Sequence, residues 1–208
     1  AEQLRRSGSE RGLDNMGKPF SLGFFAGSHD TPNAIGTNRD TFREMFQESQ
    51  QRLEDRCQVI ETCPLCESAI RVEYDVEANS VYHECTGADC LGRLPLYVID
   101  RDIYRNVPSI LLGSLDKIAI TGQQPRFANL LGNYTTKCPE HGYGYSGKCS
   151  EHQLCDRDES ELETVDPDDV YDPIPTLHLV DEVHLLNEEL GTFSAHYETL
   201  YQTLCQKI

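Results

Sequence analysis

The sequence predicts an α/β fold: a parallel sheet interrupted by two small cysteine-bearing inserts. Three observations lead there. Short apolar runs alternate with helical patterns, as they do where strands are joined by helical crossovers. The nine cysteines gather in clusters instead of spreading along the chain as a framework. A length of 208 residues suits one domain carrying inserts. Hydrophobic residues make up 38% and the mean hydropathy is −0.52, so the core is modest in size.

The elements follow in order. Residues 1–36 are rich in Gly and Ser, and the run from Phe20 to Phe25 reads as a strand ending near Gly27. The next segment, SHDTPN, is turn material. Residues 37–57 read as one helix, with Phe42, Met45, Phe46 and Leu53 near one face and Thr37 or Asn38 as its cap. Residues 107–120 give a buried strand followed by a turn that starts a helix. Residues 174–208 give a strand, a turn and a long helix. Phe193, Tyr197, Leu200, Tyr201 and Leu204 recur on it at helical spacing, with Thr192 or Ser194 as cap. This stripe fits core packing better than a platform for stacking bases.

Cys63-Pro-Leu-Cys66 and Cys85-Thr-Gly-Ala-Asp-Cys90 are separated by eighteen residues. Between them Ile70, Val72 and Tyr74 alternate with polar residues, and Val81–His83 can return as a partner strand. Such a hairpin brings both pairs to one end. Four thiolates there make a closed tetrahedral Zn2+ site of the zinc-ribbon kind, structural in role because no coordination position stays open. Buried thiols or disulfides are the competing reading, and His83 is the alternative ligand. A second group holds five donors: Cys138, His141, Cys149, His152 and Cys155. Zinc takes four, read here as Cys138, His141, Cys149 and Cys155, with His152 the substitute. Gly142, Gly144 and Gly147 let that loop bend round an ion, and the metal supplies its folding energy. Cys57 and Cys205 lie in helical patterns and read as packed thiols.

The charge narrows the function. Asp and Glu number 35 against 18 Lys and Arg, a net charge of −17. This disfavours a basic patch gripping phosphates. Only five of the cations are Lys, a balance that also fits a halophilic surface. Residues 156–172 hold nine acids and one Arg and read as a solvated connection. No apolar run approaches the roughly 18 residues of a membrane span. The segment AEQLRRSGSERG lacks a signal core, so a cytoplasmic location is expected and no membrane partner.

The most informative stretch is Leu177–His184, LHLVDEVH. An apolar strand leads to Asp181 and Glu182, and the carboxyl end of a parallel strand is where ligands gather in open α/β sheets. Adjacent carboxylates there suit Mg2+ bridging phosphates and a base orienting water. The competing reading is an acidic strand end that caps a helix. LHLVDEVH resembles the DEAH/DExH box of superfamily 2 helicases. ILLGSLDKIAI at 110–120 resembles the strand-turn-helix motif upstream of that box, and TPN at 31–33 falls near an earlier motif. Together with the Cys/His insert and the sequence after the box, the chain looks like the DrmA helicases of the DISARM anti-phage system.

The resemblance implies a partial RecA-like parallel sheet. It divides the chain into an N-terminal part of the lobe (1–57), a zinc-ribbon-like insert (58–100) and the strand-turn-helix part (101–133). A Cys/His loop with acidic linker (134–173) and the box strand with its helix (174–208) follow. It assigns Asp181 to Mg2+, Glu182 to the hydrolytic water of ATP, and His184 to coupling with nucleic acid. Ser114, Asp116 and Lys117 would lie near a nucleic-acid backbone, expected to be DNA, and other subunits of a defence complex become candidate partners. The sequence departs from the family in containing no GxxxxGK[ST] loop. The expectation is therefore an internal piece of a larger helicase, inactive by itself. A zinc-stabilised interaction module without catalytic role is the alternative, and a zinc hydrolase is disfavoured because neither cluster leaves an open position.

Overall fold

The computed structural model describes residues 20–27, 32, 49–114, 117, 124–166, 177–181 and 189–205. They divide into two units, Ala1–Ile103 with Pro108–Leu112, and Tyr104–Val107 with Gly113–Ile208.

The first unit contains a three-stranded sheet and a hairpin. Strands β1 (Leu22–Phe25), β4 (Leu96–Tyr97) and β5 (Ile110–Gly113) are ordered β4-β1-β5. β1 and β4 run parallel, with Leu22 opposite Leu96. Gly23 is required in β1. A Cβ there would lie 2.8 Å from Pro108 and 3.0 Å from Leu111, so only glycine lets the strand approach its neighbours this closely.

Between β1 and β4 lie helix α1 (Gln50–Cys57) and the antiparallel hairpin β2 (Ile70–Asp75) and β3 (Ser80–Cys85), with Ile70 opposite Cys85 and Asp75 opposite Ser80. The alternation in IRVEYD explains β2: Ile70 and Val72 are buried while Arg71 is exposed. The turn is fixed by side chains. Asp75 accepts the Ala78 N–H at 2.9 Å, and Asn79, at φ 48°, accepts the Tyr74 hydroxyl at 2.7 Å. Asn tolerates this left-handed conformation better than most residues. The core joins Leu53 and Cys57 of α1 to Ile70, Val72, Val81, Leu96, Val98 and Ile99. Burial pushes the Cys57 thiol up to about 12, which fits the expected packed thiol.

Helix α2 (Asp100–Asn106) begins in this unit. Its Asp102, almost wholly buried, accepts the Ser80 hydroxyl at 2.9 Å and the Val81 N–H at 3.4 Å. The carboxylate thereby holds the start of β3.

The second unit is built of small pieces. A 3₁₀ helix, Pro125–Leu131, ends at Gly132 in the left-handed region, φ 78°. Strand β6 (Thr136–Cys138) pairs antiparallel with β7 (Gly142–Tyr143) and β8 (Glu163–Thr164). Helix α3 spans Glu189–Cys205.

Several sequence expectations change. Ser49 caps α1 by accepting the Arg52 N–H, so a single helix does not run unbroken through 37–57; residues 37–48 lie outside the described set. The 107–120 strand is not buried: Ile110 and Leu112 of β5 are 52% and 56% exposed, and among the described strands β5 stands at the sheet edge. Leu177–Val180 form no strand and are exposed. An apolar run becomes a buried strand only where neighbours pair with it, and no described strand does so here. The acidic run is not simply a solvated linker. Glu159–Glu161 forms a 3₁₀ turn closed by a capping box from Asp158, β8 follows, and Leu162 is buried. α3 starts before Thr192, which lies inside it, and Leu200 is 42% exposed. Ser194, the other expected cap, also lies inside the helix, and the side chains of Phe193, Ser194, Tyr197, Tyr201, Leu204 and Cys205 lie outside what is described.

Asp102→Ala should lower the unfolding free energy by ~2–3 kcal/mol, since it leaves two buried donors unpaired; Ser80→Ala should cost only about 1 kcal/mol. Urea denaturation of the metal-loaded protein measures both, and equal losses would contradict the role given to the carboxylate.

Candidate metal centres

The first centre sits where hairpin geometry predicts. Thr62 and Ala69 form a bridge just before β2, and the segment between them folds back on itself. The Cys63 N–H donates to the Ser68 carbonyl at 2.8 Å, and the Glu67 N–H to the Cys63 carbonyl at 2.9 Å. Glu67 takes φ 61° to make this turn. At the other end β3 delivers Cys85, and a second turn, closed by the Cys90 N–H on the Gly87 carbonyl, delivers Cys90.

The four sulfurs lie within 4.8 Å of one another. Cys66 and Cys85 are 3.3 Å apart and Cys63 and Cys90 3.6 Å. Zn–S bonds of about 2.3 Å in a tetrahedron place sulfurs about 3.8 Å apart, so the arrangement fits a metal with little adjustment. None of these cysteines is in a disulfide, which removes the disulfide half of the competing reading for the first cluster. The thiols ionise unevenly. Hydrogen bonds from Ser68 bring Cys66 down to about 6. The Gly87 amide pulls Cys85 down, but desolvation and the neighbouring thiols override it and carry that group to about 12. Four thiols so close can all ionise only around a cation.

Gly87 has a steric role here. A Cβ on it would stand 2.9 Å from both the Cys66 sulfur and the Ser68 hydroxyl. His83 is not a ligand. It is fully buried, its Nε2 accepts the Val59 N–H at 3.2 Å, and burial lowers it to about 4. It is a neutral ring fastening the chain after α1.

The second centre brings together Cys138 at the end of β6, His141 in the β6–β7 turn, and Cys149 and Cys155 in the following loop, again within 4.8 Å. Cys138 lies 3.5 Å from the His141 Nδ1 and 4.0 Å from the Cys155 sulfur. His152 is exposed and stands outside the cluster. Burial drives the Cys149 thiol upward, against the pull of the Glu151 N–H at 3.4 Å. Loop shape depends on glycines. A Cβ on Gly144 would collide with the Lys148 carbonyl and the Thr136 hydroxyl, and Ser146-Gly147, both at positive φ, turn the chain between the bridged Tyr145 and Lys148. Ser146 and Glu67 are left-handed positions that sequence reading did not identify, since neither residue type signals them.

The carboxylate site is a different case. Asp181 is exposed on a bend and follows no strand; Glu182 and His184 lie outside the described residues. The described residues thus place one of the three expected residues of that site, Asp181. Of the three residues expected near a nucleic-acid backbone, Ser114 is half-buried with a buried hydroxyl, Lys117 is buried, and Asp116 lies outside the described set. Among the described residues no helix is long and apolar enough to cross a membrane.

No protein-family model matches the chain. It is 28% identical over 201 residues to the DISARM protein DrmA of Bacillus paralicheniformis, covering 89% of this chain and 17% of that protein. The chain thus spans about a sixth of that relative's length.

The two centres should bind metal independently. Loading with Co2+ should show two tetrahedral thiolate-ligated ions per chain. Cys155→Ser should leave one and His152→Ala should leave two; loss of an ion in His152→Ala would reassign the fourth ligand. Gly87→Ala should weaken the first centre at least tenfold, of the order seen when supporting residues of metal ligands are altered, without changing the second.

Proposed function

We propose that this chain is a zinc-stabilised part of a DrmA-like protein working in anti-phage defence, and that both metals are structural. The observation that carries the reading is the pair of four-ligand clusters. One offers four sulfurs, the other three sulfurs and an imidazole. Soft donors of this kind select zinc over hard cations such as Mg2+. Four protein ligands leave no position for a water or a substrate, so the chemistry available is folding rather than hydrolysis. Defence follows from the similarity to DrmA.

A second reading concerns the whole protein and rests on the LHLVDEVH sequence. In the intact protein Asp181 holds Mg2+, Glu182 acts on the water that attacks ATP, and His184 communicates with nucleic acid. The strand-turn-helix segment containing Ser114 and Asp116 faces that nucleic acid. This reading requires Leu177–Val180 to pair as a strand within a RecA-like sheet of the complete protein. It also requires a phosphate-binding loop contributed by another part of that protein.

Two experiments separate the readings. Metal analysis of the purified chain should give two zinc ions, and a folded metal-free chain would remove the first proposal. In the full-length protein, Glu182→Gln should reduce ATP hydrolysis at least ~100-fold, as expected for loss of a general base, while ATP still binds. Unchanged turnover would reject the motor reading and leave the structural-zinc reading standing.

A further inference from the structure

Inside the second unit, the loop that carries two of the metal ligands also carries a buried acid. Glu151 lies between Cys149 and Cys155, and its side chain is 1% exposed. Its carboxylate faces the Arg105 guanidinium at 3.8 Å, itself 2% exposed. Arg105 belongs to the last turn of α2. Charges so deeply buried are tolerated only when opposed.

The backbone of Glu151 is held on both sides by the metal loop. Its N–H donates to the Cys149 sulfur at 3.4 Å. Its carbonyl accepts the N–H groups of Leu154 and Cys155, each at 2.8 Å. The direction of the carboxylate is thus set by the same turn that presents Cys149 and Cys155 to the metal.

Two further contacts seat the end of α2 on this loop. The Asn129 side-chain amide donates to the Tyr104 carbonyl at 3.2 Å and to the Gly144 carbonyl at 3.0 Å. Gly142, next to the ligand His141, approaches the Arg105 carbonyl so closely that a Cβ would be 2.5 Å from it. Immediately beyond, Val107 has φ 47°. A β-branched residue holds that conformation only where its surroundings impose it.

We propose that Glu151 makes the conformation of Tyr104–Val107 depend on the metal held by Cys138, His141, Cys149 and Cys155. The inference rests on the metal reading of that centre. With metal bound, the loop presents Glu151 to Arg105, and the last turn of α2 is locked with Val107 in its left-handed state. Without metal the loop has little apolar core to keep its shape, Glu151 departs, and the turn opens. Glu151 is a positioning residue, and the second centre acts beyond its own loop.

Hydrogen exchange of the full-length protein, read at residues 104–107 alongside zinc content, tests this. Glu151→Gln should keep both zinc ions yet speed exchange there about tenfold or more, as removal of one partner from a buried pair predicts. Cys149→Ser should lose one zinc and show the same acceleration. Arg105→Met combined with Glu151→Met, which replaces the pair by apolar groups, should keep both ions and restore protection. Unchanged exchange in Glu151→Gln overturns the inference, as does loss of zinc from that variant, since Glu151 would then act on the metal itself. If a single variant does not fold, the Co2+-loaded wild type titrated with chelator decides: exchange at 104–107 must rise as the absorption of the three-sulfur, one-nitrogen centre disappears, and exchange that stays slow overturns the inference. A wild type that binds no zinc sinks both this inference and the metal reading; the other outcomes leave the metal reading intact.

Discussion

The structure depends on an electrostatic constraint: four soft donors crowded within 4.8 Å of one another, twice over. Thiols at that spacing repel as they ionise, and a divalent cation converts that repulsion into attraction. The dependence is sharpest in the second unit. Its buried apolar cluster around the metal loop consists of Cys138, Cys149 and Leu162, with Cys155 packed against them. Three of those four residues are candidate ligands, so a bound metal would take the place that an apolar core has elsewhere. Zinc binding contributes on the order of 10 kcal/mol to the folding of small metal-dependent domains, enough to hold a loop whose sheet strands are two or three residues long.

The first unit divides the work differently. Its core runs from α1 through the hairpin to Val98 and Ile99, and two of its members, Cys63 and Cys85, also belong to the candidate metal cluster. A metal held there would reinforce the hydrophobic packing. The polar groups inside are placed to hold backbone: His83 takes the Val59 N–H, Asp102 takes the Val81 N–H, and Gln58 donates to the carbonyls of Ile60 and Ile70. The outward edge is charged, with Arg93 stacked over Tyr82 at 4.3 Å and 3.6 Å from Asp75.

Metal ligands and carboxylates differ in how local their chemistry is. A zinc centre is assembled by short turns close in sequence, so CPLC, CPEH and the hairpin between cysteine pairs announce it. A nucleotide site is assembled at the edge of a sheet whose strands come from distant parts of the chain. LHLVDEVH contains the residue types for that site, yet Leu177–Asp181 are exposed and belong to no strand in the described structure. Apolar character in a segment states what it can bury, while burial itself needs a partner.

The sequence by itself determined the α/β class, the β2–β3 hairpin and the two donor-rich segments, because each follows from periodicity or from ligand spacing over a few tens of residues. Only the tertiary structure decided that His83 and His152 stand outside the clusters, that Ser49 begins α1, and that β5 is an exposed edge. It also decided that part of the acidic run folds against the metal loop, and that Arg105 is buried opposite Glu151. Those outcomes turn on which neighbour a side chain meets across long stretches of sequence, and neither hydrophobic period nor motif spacing carries that information.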